Sequence, residues 1–211
     1  MTREEHERLY ALVQNPPSGS KMEAAKMYGV DLTLNLQSLT RTPAERVREM
    51  EAALKERGVN FVVIGGYAAT LHGSAYLTRD LDICYERTPE NMERLVRALS
   101  PYRPRLRGAP EGLPFVFDMK TLSNGMNFTL ATDLGDIDLL GHVSGLGEFP
   151  AVALNAISMP LFGGEYRVAS LDSLIRSKRA AGRNKDLNVL PELEALKEMH
   201  APKDQTEPPQ D

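Results

Sequence analysis

The segment from Phe61 to Ile83, FVVIGGYAATLHGSAYLTRDLDI, constrains this chain more than any other. Phe61-Val62-Val63-Ile64 is a short, uninterrupted apolar run, the pattern of a strand buried on both faces. Gly65-Gly66 ends it. A small-residue helix is expected over Tyr67 to His72, closed by Gly73. A second strand then carries Thr78, Asp80 and Asp82. Strand side chains alternate faces, so these three point one way while Leu81 and Ile83 point into a core. Asp80 and Asp82 are thereby held about 7 Å apart along one strand. Hard divalent cations prefer oxygen ligands, and carboxylates on a rigid strand fix where such an ion sits. A glycine pair leaves the backbone bare, so that phosphate oxygens can approach main-chain N–H groups at a helix start. A lone Gly-Gly is commonly a turn, and a lone Asp-x-Asp commonly a solvated strand edge. Their order, with thirteen residues between Gly66 and Asp80, is the stronger signal and points to metal-assisted phosphoryl chemistry.

Gly135-Asp136-Ile137-Asp138-Leu139-Leu140-Gly141 is the second informative stretch. Asp136 and Asp138 share a strand face, with Ile137 and Leu139 opposite. A third carboxylate on a neighbouring strand completes a two-metal site and can accept the proton of an attacking hydroxyl. Asp138 is the candidate because apolar residues flank it on both sides. Asp136 lies nearer the strand start and reads as solvated, but remains the alternative third carboxylate.

Gly65-Gly66, the thirteen-residue gap and Asp80-Leu81-Asp82-Ile83 resemble the signature of the DNA-polymerase-β-like nucleotidyltransferase superfamily. Within it the chain is most similar to the small bacterial nucleotidyltransferases of abortive-infection and toxin–antitoxin type. The similarity runs from about Val59 to Leu190. It implies an α/β (α+β) fold, a small mixed sheet flanked by helices with helical segments at both ends. It implies transfer of a nucleotide from an NTP to a hydroxyl, with Mg²⁺ as cofactor and Mn²⁺ as a substitute. Asp80, Asp82 and Asp138 would then be catalytic and metal-binding, and Gly65 and Gly66 nucleotide-binding. The acceptor is an RNA 3′ end or a partner-protein side chain, and a cognate toxin or antitoxin is the implied partner. Tyr76 departs from the pattern, since that position is often basic in such relatives.

The remaining chain was divided by its start and stop signals. Residues 1–57 read as a helical segment, 58–170 as the nucleotidyltransferase core, 171–200 as C-terminal helices and 201–211 as a disordered, polar tail. Thr2 to Val13 and Lys21 to Met27 are helix candidates around a Pro-Gly linker. The apolar stretch from Val30 to Leu39 is ambiguous. Thr42, Pro43 and Glu45 form a capping box for a helix to Arg57. Arg46, Arg48, Lys55 and Glu56 are its expected solvated face. Thr88-Pro89 starts a helix with a Met92, Leu95, Val96, Leu99 stripe. Ser100 to Pro114 reads as a proline-rich loop on which Arg103, Arg105 and Arg107 are solvated. Phe115-Val116-Phe117 and Met126 to Ala131 read as strands, Leu146 to Ala156 as a short helix, and Ile157 to Val168 as a hairpin about Gly163-Gly164. Ser170 caps a helix through Ala181, closed by Gly182. Lys178 shares a face with Leu171, Leu174 and Ile175. Such a lysine normally snorkels to water. The basic segment Lys178, Arg179, Arg183, Lys185 resembles that of the nucleotidyltransferases, which implies that Lys178 reaches the triphosphate. Asn184 to Met199 reads as a last helix.

The formal net charge of −4 argues against a general nucleic-acid-coating protein. The single cysteine, Cys84, can form neither an internal disulfide nor a multi-cysteine zinc site and reads as a core filler. His72 reads as structural. No apolar run approaches the length of a membrane span, no signal-peptide pattern opens the chain, and the expectation is a soluble cytoplasmic protein. No P-loop, GxSxG or HExxH motif is present. Two other functions share these residues. A metal-dependent glycosyltransferase would use Asp80-x-Asp82 for a nucleotide sugar, and a non-catalytic binding protein would keep the fold and sequester a partner.

Overall fold

The structure, a computed structural model, describes residues 3–27, 43–75, 78, 80–110, 114–161 and 163–200. The expectations for Val30 to Leu39, the Thr42 cap, Tyr76 and the tail 201–211 lie outside the described residues.

Nine strands are described: β1 Phe61–Ile64, β2 Asp80–Tyr85, β3 Arg105–Leu106, β4 Asn127–Thr132, β5 Gly135–Leu140, β6 His142–Val143, β7 Gly147–Glu148, β8 Ala156–Leu161 and β9 Gly164–Ala169. Seven of them form one mixed sheet in the order β3-β4-β5-β2-β1-β9-β8. Helices flank it, so the α/β class expected from the sequence is the one observed. β1 pairs antiparallel with β2 (Ile64 opposite Asp82) and parallel with β9 (Val63 opposite Val168). β8 and β9 form the expected hairpin, with Gly163 at φ 79°. No helix among the described residues is long and apolar enough to cross a membrane.

Compactness divides the chain into two units. One comprises Met1–Asn60 and Arg87–Leu139. Its helix Pro43–Glu56 buries Val47, Met50 and Leu54 and packs on the helix Pro89–Leu99. Thr88 caps that second helix by accepting from the Asn91 N–H. Its buried stripe is Met92, Leu95, Ala98 and Leu99, with Val96 at the margin rather than inside. Buried Asn91 both accepts from the Asn60 N–H (2.7 Å) and donates to the Asn60 carbonyl (3.0 Å). Arg48, Lys55 and Glu56 are exposed as expected, but Arg46 is half-buried, with its Nε enclosed and without a hydrogen-bond partner among the described residues. Glu51 is unexpected. It is fully buried, and neither carboxylate oxygen has a hydrogen-bond partner among the described residues. Burial pushes its pKa up to about 7.

Phe115-Val116-Phe117 is not a strand. Irregular chain leads there into the helix Met119–Asn124, which Asp118 caps by accepting from the Thr121 N–H. The triplet is rich in strand-forming residues, but the Asp118 cap directly behind it starts a helix instead. The proline-rich loop likewise contains a 3₁₀ turn, Ser100–Tyr102, and β3, which pairs with β4.

The other unit comprises Phe61–Glu86 and Leu140–Asp211. β1 is buried throughout, and Leu81, Ile83, Cys84 and Tyr85 of β2 are fully buried. Burial, reinforced by the Glu148 charge, pushes the Cys84 thiol up to about 12. The helix after β1 begins earlier than expected, at Gly65, and ends at Leu71. Thr78 precedes β2 instead of lying within it. Leu146 to Ala156 holds β7 before the helix Phe149–Leu154. Ser170 caps the helix Leu171–Ala181, and Gly182 ends it at φ 63°. The last helix, Asn184–His200, packs against it. His72 is buried, its Nε2 2.8 Å from the Ala169 carbonyl.

Candidate metal centre

β2 alternates in burial, with Leu81 and Ile83 inside and Asp80 and Asp82 half-buried. The apolar residues thus orient the acidic ones. β5 repeats this, since Ile137 and Leu139 are fully buried and Asp136 and Asp138 take the opposite face.

Two small residues next to β1 are explained by Asp82. Gly65 has φ +67°, and a Cβ there would fall 2.0 Å from Asp82 Oδ2. A Cβ on Gly66 would meet Thr78 Cβ at 2.9 Å. The Gly66 N–H points at Asp82 Oδ2 at 3.4 Å. The glycine pair therefore admits and orients a carboxylate of the same unit, a closer constraint than the turn alone required. The Thr78 hydroxyl donates to Asp80 Oδ1 and so fixes that side chain from outside the strand.

Within their unit, Asp80 and Asp82 stand two residues apart on one strand, and partly accessible carboxylates so placed can hold a divalent cation, because anionic oxygen ligands suit Mg²⁺ and Mn²⁺. Asp138 lies on β5, in the other unit. There the Arg107 guanidinium spans both acids of β5, with Nη2 2.7 Å from Asp138 Oδ1 and Nη1 3.1 Å from Asp136 Oδ2. Sequence reasoning left Arg107 on a solvated loop. The missed signal was Arg-x-Arg-x-Arg alternation, a strand period hidden among prolines.

Lys178 sits on the expected helix face, but it neither snorkels nor stands open. Its Nζ lies 2.7 Å from Asp186 Oδ1, and Arg183 Nε lies 2.6 Å from Oδ2 of the same residue. Asp186 is almost wholly buried. Burial alone would raise its pKa, but the two cations outweigh that and hold it low. Other basic residues are paired too, Arg103 with Asp133 and Arg179 with Glu194. Arg103 and Arg107, expected to be solvated, are thus each paired with an acid.

The fold and these acids define a mixed α/β protein with paired strand carboxylates able to bind metal. No family model matches the chain, and no curated protein does. Among solved structures the chain is similar to a Thermotoga maritima protein provisionally assigned as a nucleotidyltransferase. The TM-score is 0.43 and the identity 18%, over 74% of this chain and 91% of that one. A likeness that slight carries no argument about activity.

Proposed function

We propose that this protein is a divalent-metal-dependent nucleotidyltransferase that moves a nucleotide from an NTP to a hydroxyl. The acid pair of β2 beside the glycine pair supports the reading, since Thr78 and the Gly66 N–H orient Asp80 and Asp82 on one face of the strand. Mg²⁺, or Mn²⁺ in its place, would supply charge neutralisation at the phosphate oxygens. Asp80 and Asp82 would hold the cation from that strand. Asp138 takes the proton of the acceptor hydroxyl as its oxygen bonds to the α-phosphorus and pyrophosphate leaves. Gly65 and Gly66 leave the backbone beside Asp82 uncovered for the nucleotide. Lys178 meets the phosphates by exchanging its contact with Asp186.

The resemblance noted in the sequence puts the activity in a cytoplasmic toxin–antitoxin or phage-defence pair. Its acceptor is then an RNA 3′ end or a side chain of a partner protein. The test is incubation with each labelled NTP, Mg²⁺, total RNA and cell lysate, followed by ribonuclease or protease. Label lost to ribonuclease identifies RNA, and label lost only to protease identifies a protein acceptor. No transfer from any NTP, with nucleotide sugars giving the only thermal stabilisation, would replace this reading by the glycosyltransferase one.

A further inference from the structure

The last helix, Asn184–His200, reaches beyond the helix it packs on. Ion pairs tie it to that helix, Asp186 with Lys178, Glu194 with Arg179 and Lys197 with Asp172. Glu192 turns elsewhere, and its Oε1 accepts from the Ala75 N–H at 2.7 Å. Leu196, one turn on, backs the same segment, since a Cβ on Gly73 would sit 3.6 Å from Leu196 Cδ2. His72 holds the segment from its other end, with Nε2 2.8 Å from the Ala169 carbonyl. Ala75 is exposed, so water alone can satisfy its N–H. A half-buried carboxylate brought from 117 residues away does what water cannot, and fixes the path of the chain behind the helix Gly65–Leu71.

That path leads to the acid strand. Thr78 follows Ala75 by three residues and donates its hydroxyl to Asp80 Oδ1. Thr78 is also pressed against Gly66, where an added Cβ would fall 2.9 Å from Thr78 Cβ. It has little room to absorb a shift of the chain before it, so a displacement at Ala75 passes on to Asp80. We propose that Glu192 is a positioning residue, which fixes the chain at Ala75 and so, through Thr78, sets the Asp80 carboxylate for a divalent cation. This rests on reading Asp80 and Asp82 as metal ligands. Glu192, Ala75, Thr78 and Asp80 all belong to one unit of the chain. The ion pairs to the neighbouring helix then have a purpose beyond stability, because they hold Glu192 steady from both sides along its own helix.

The experiment is Mn²⁺ titration of the full chain without NTP, read by the electron-paramagnetic-resonance signal of free Mn²⁺. Wild type is compared with E192A, E192Q, E194A and D80N, each checked by circular dichroism. E192A should bind Mn²⁺ roughly threefold to tenfold more weakly, the worth of one hydrogen bond. E192Q keeps an acceptor at the same reach and should bind within about twofold of wild type. E194A breaks an ion pair between the same two helices without removing the Ala75 contact, and should bind as wild type does. Wild-type affinity in E192A overturns the proposal and leaves the metal reading standing. So does a loss in E192Q as large as in E192A, which would make the charge of Glu192 the cause, or an equal loss in E194A, which would make helix packing the cause. Should E192A not fold, E192M, which keeps the bulk and removes the carboxylate, is read in its place. No Mn²⁺ binding by wild type, or none lost in D80N, removes the metal reading itself and the proposal with it.

Discussion

Asp82 turns its carboxylate to the Gly66 N–H, on the strand face it shares with Asp80. Replacing it with Asn keeps the shape and removes the charge. Asp82→Asn should leave the circular-dichroism spectrum unchanged and cut nucleotide transfer by roughly a hundredfold or more. Full activity in that variant would exclude Asp82 as a metal ligand. Glu51 shows the opposite case, a buried acid without a hydrogen-bond partner among the described residues. Its folded pKa is raised from 4.5 to about 7, so its favourable contribution is complete below 4.5 and lost as pH rises through 7. Above that, keeping the charge buried costs about 3 kcal/mol. Glu51→Gln should therefore be more stable than wild type in urea at pH 8 and no different at pH 4.5. A constant difference at both values would exclude ionisation of Glu51 as the cause. Neither Asp82's contact with Gly66 nor Glu51's burial was legible in the sequence. Helical position 51 is charged in a row of charged residues, and only packing decides which one turns inward.

Elements were most legible where a backbone group needs a specific partner. The Ser170 and Thr88 caps and the Gly182 stop are seen where the residues put them, because an uncapped helix end leaves donors or acceptors unpaired. The helix behind β1 was misplaced at its start, since Gly-Gly also reads as a turn. The spatial consequence of that turn gives a sharp test. Gly65→Ala adds a methyl 2.0 Å from Asp82 Oδ2 at φ +67°. It costs about 1 kcal/mol or more in backbone strain and forces the carboxylate aside. Transfer activity should fall far more than the thermal midpoint, and equal loss in both would mean that the glycine serves folding alone. In the first turn of the last helix, Asp186 holds two cations while buried. Asp186→Ala should destabilise the chain by roughly 3 kcal/mol, because it strips the partner from Lys178 and Arg183. Urea denaturation measures this, and a loss below about 1 kcal/mol would show that both cations simply move to water.

For the whole molecule, the formal charge is −4, and Arg103, Arg107, Lys178, Arg179 and Arg183 are each paired with an acid, which withdraws these five cations from a long polyanion. If RNA is the acceptor, its binding should weaken by less than about tenfold between 50 and 200 mM salt, as one or two phosphate contacts predict. A steeper loss would point to an extended basic surface. Strand content and the β8–β9 hairpin could be read locally, but the parallel pairing of β1 with β9 could not. Val63 and Val168 are far apart in sequence, and alternation says which face a residue takes without naming the strand beside it. The face that Asp138 takes was legible because Ile137 and Leu139 alternate with the acids. Arg107 was not, because its partner lies on another strand. Cys84 brings a practical consequence. A lone thiol that is fully buried, with ionisation pushed up to about 12, is shielded from alkylating reagents while β2 holds. A probe placed on an introduced surface cysteine would therefore report from one known position in otherwise native protein. Mass added at Cys84 would instead time the opening of the sheet's centre, giving the molecule an internal clock for its own unfolding.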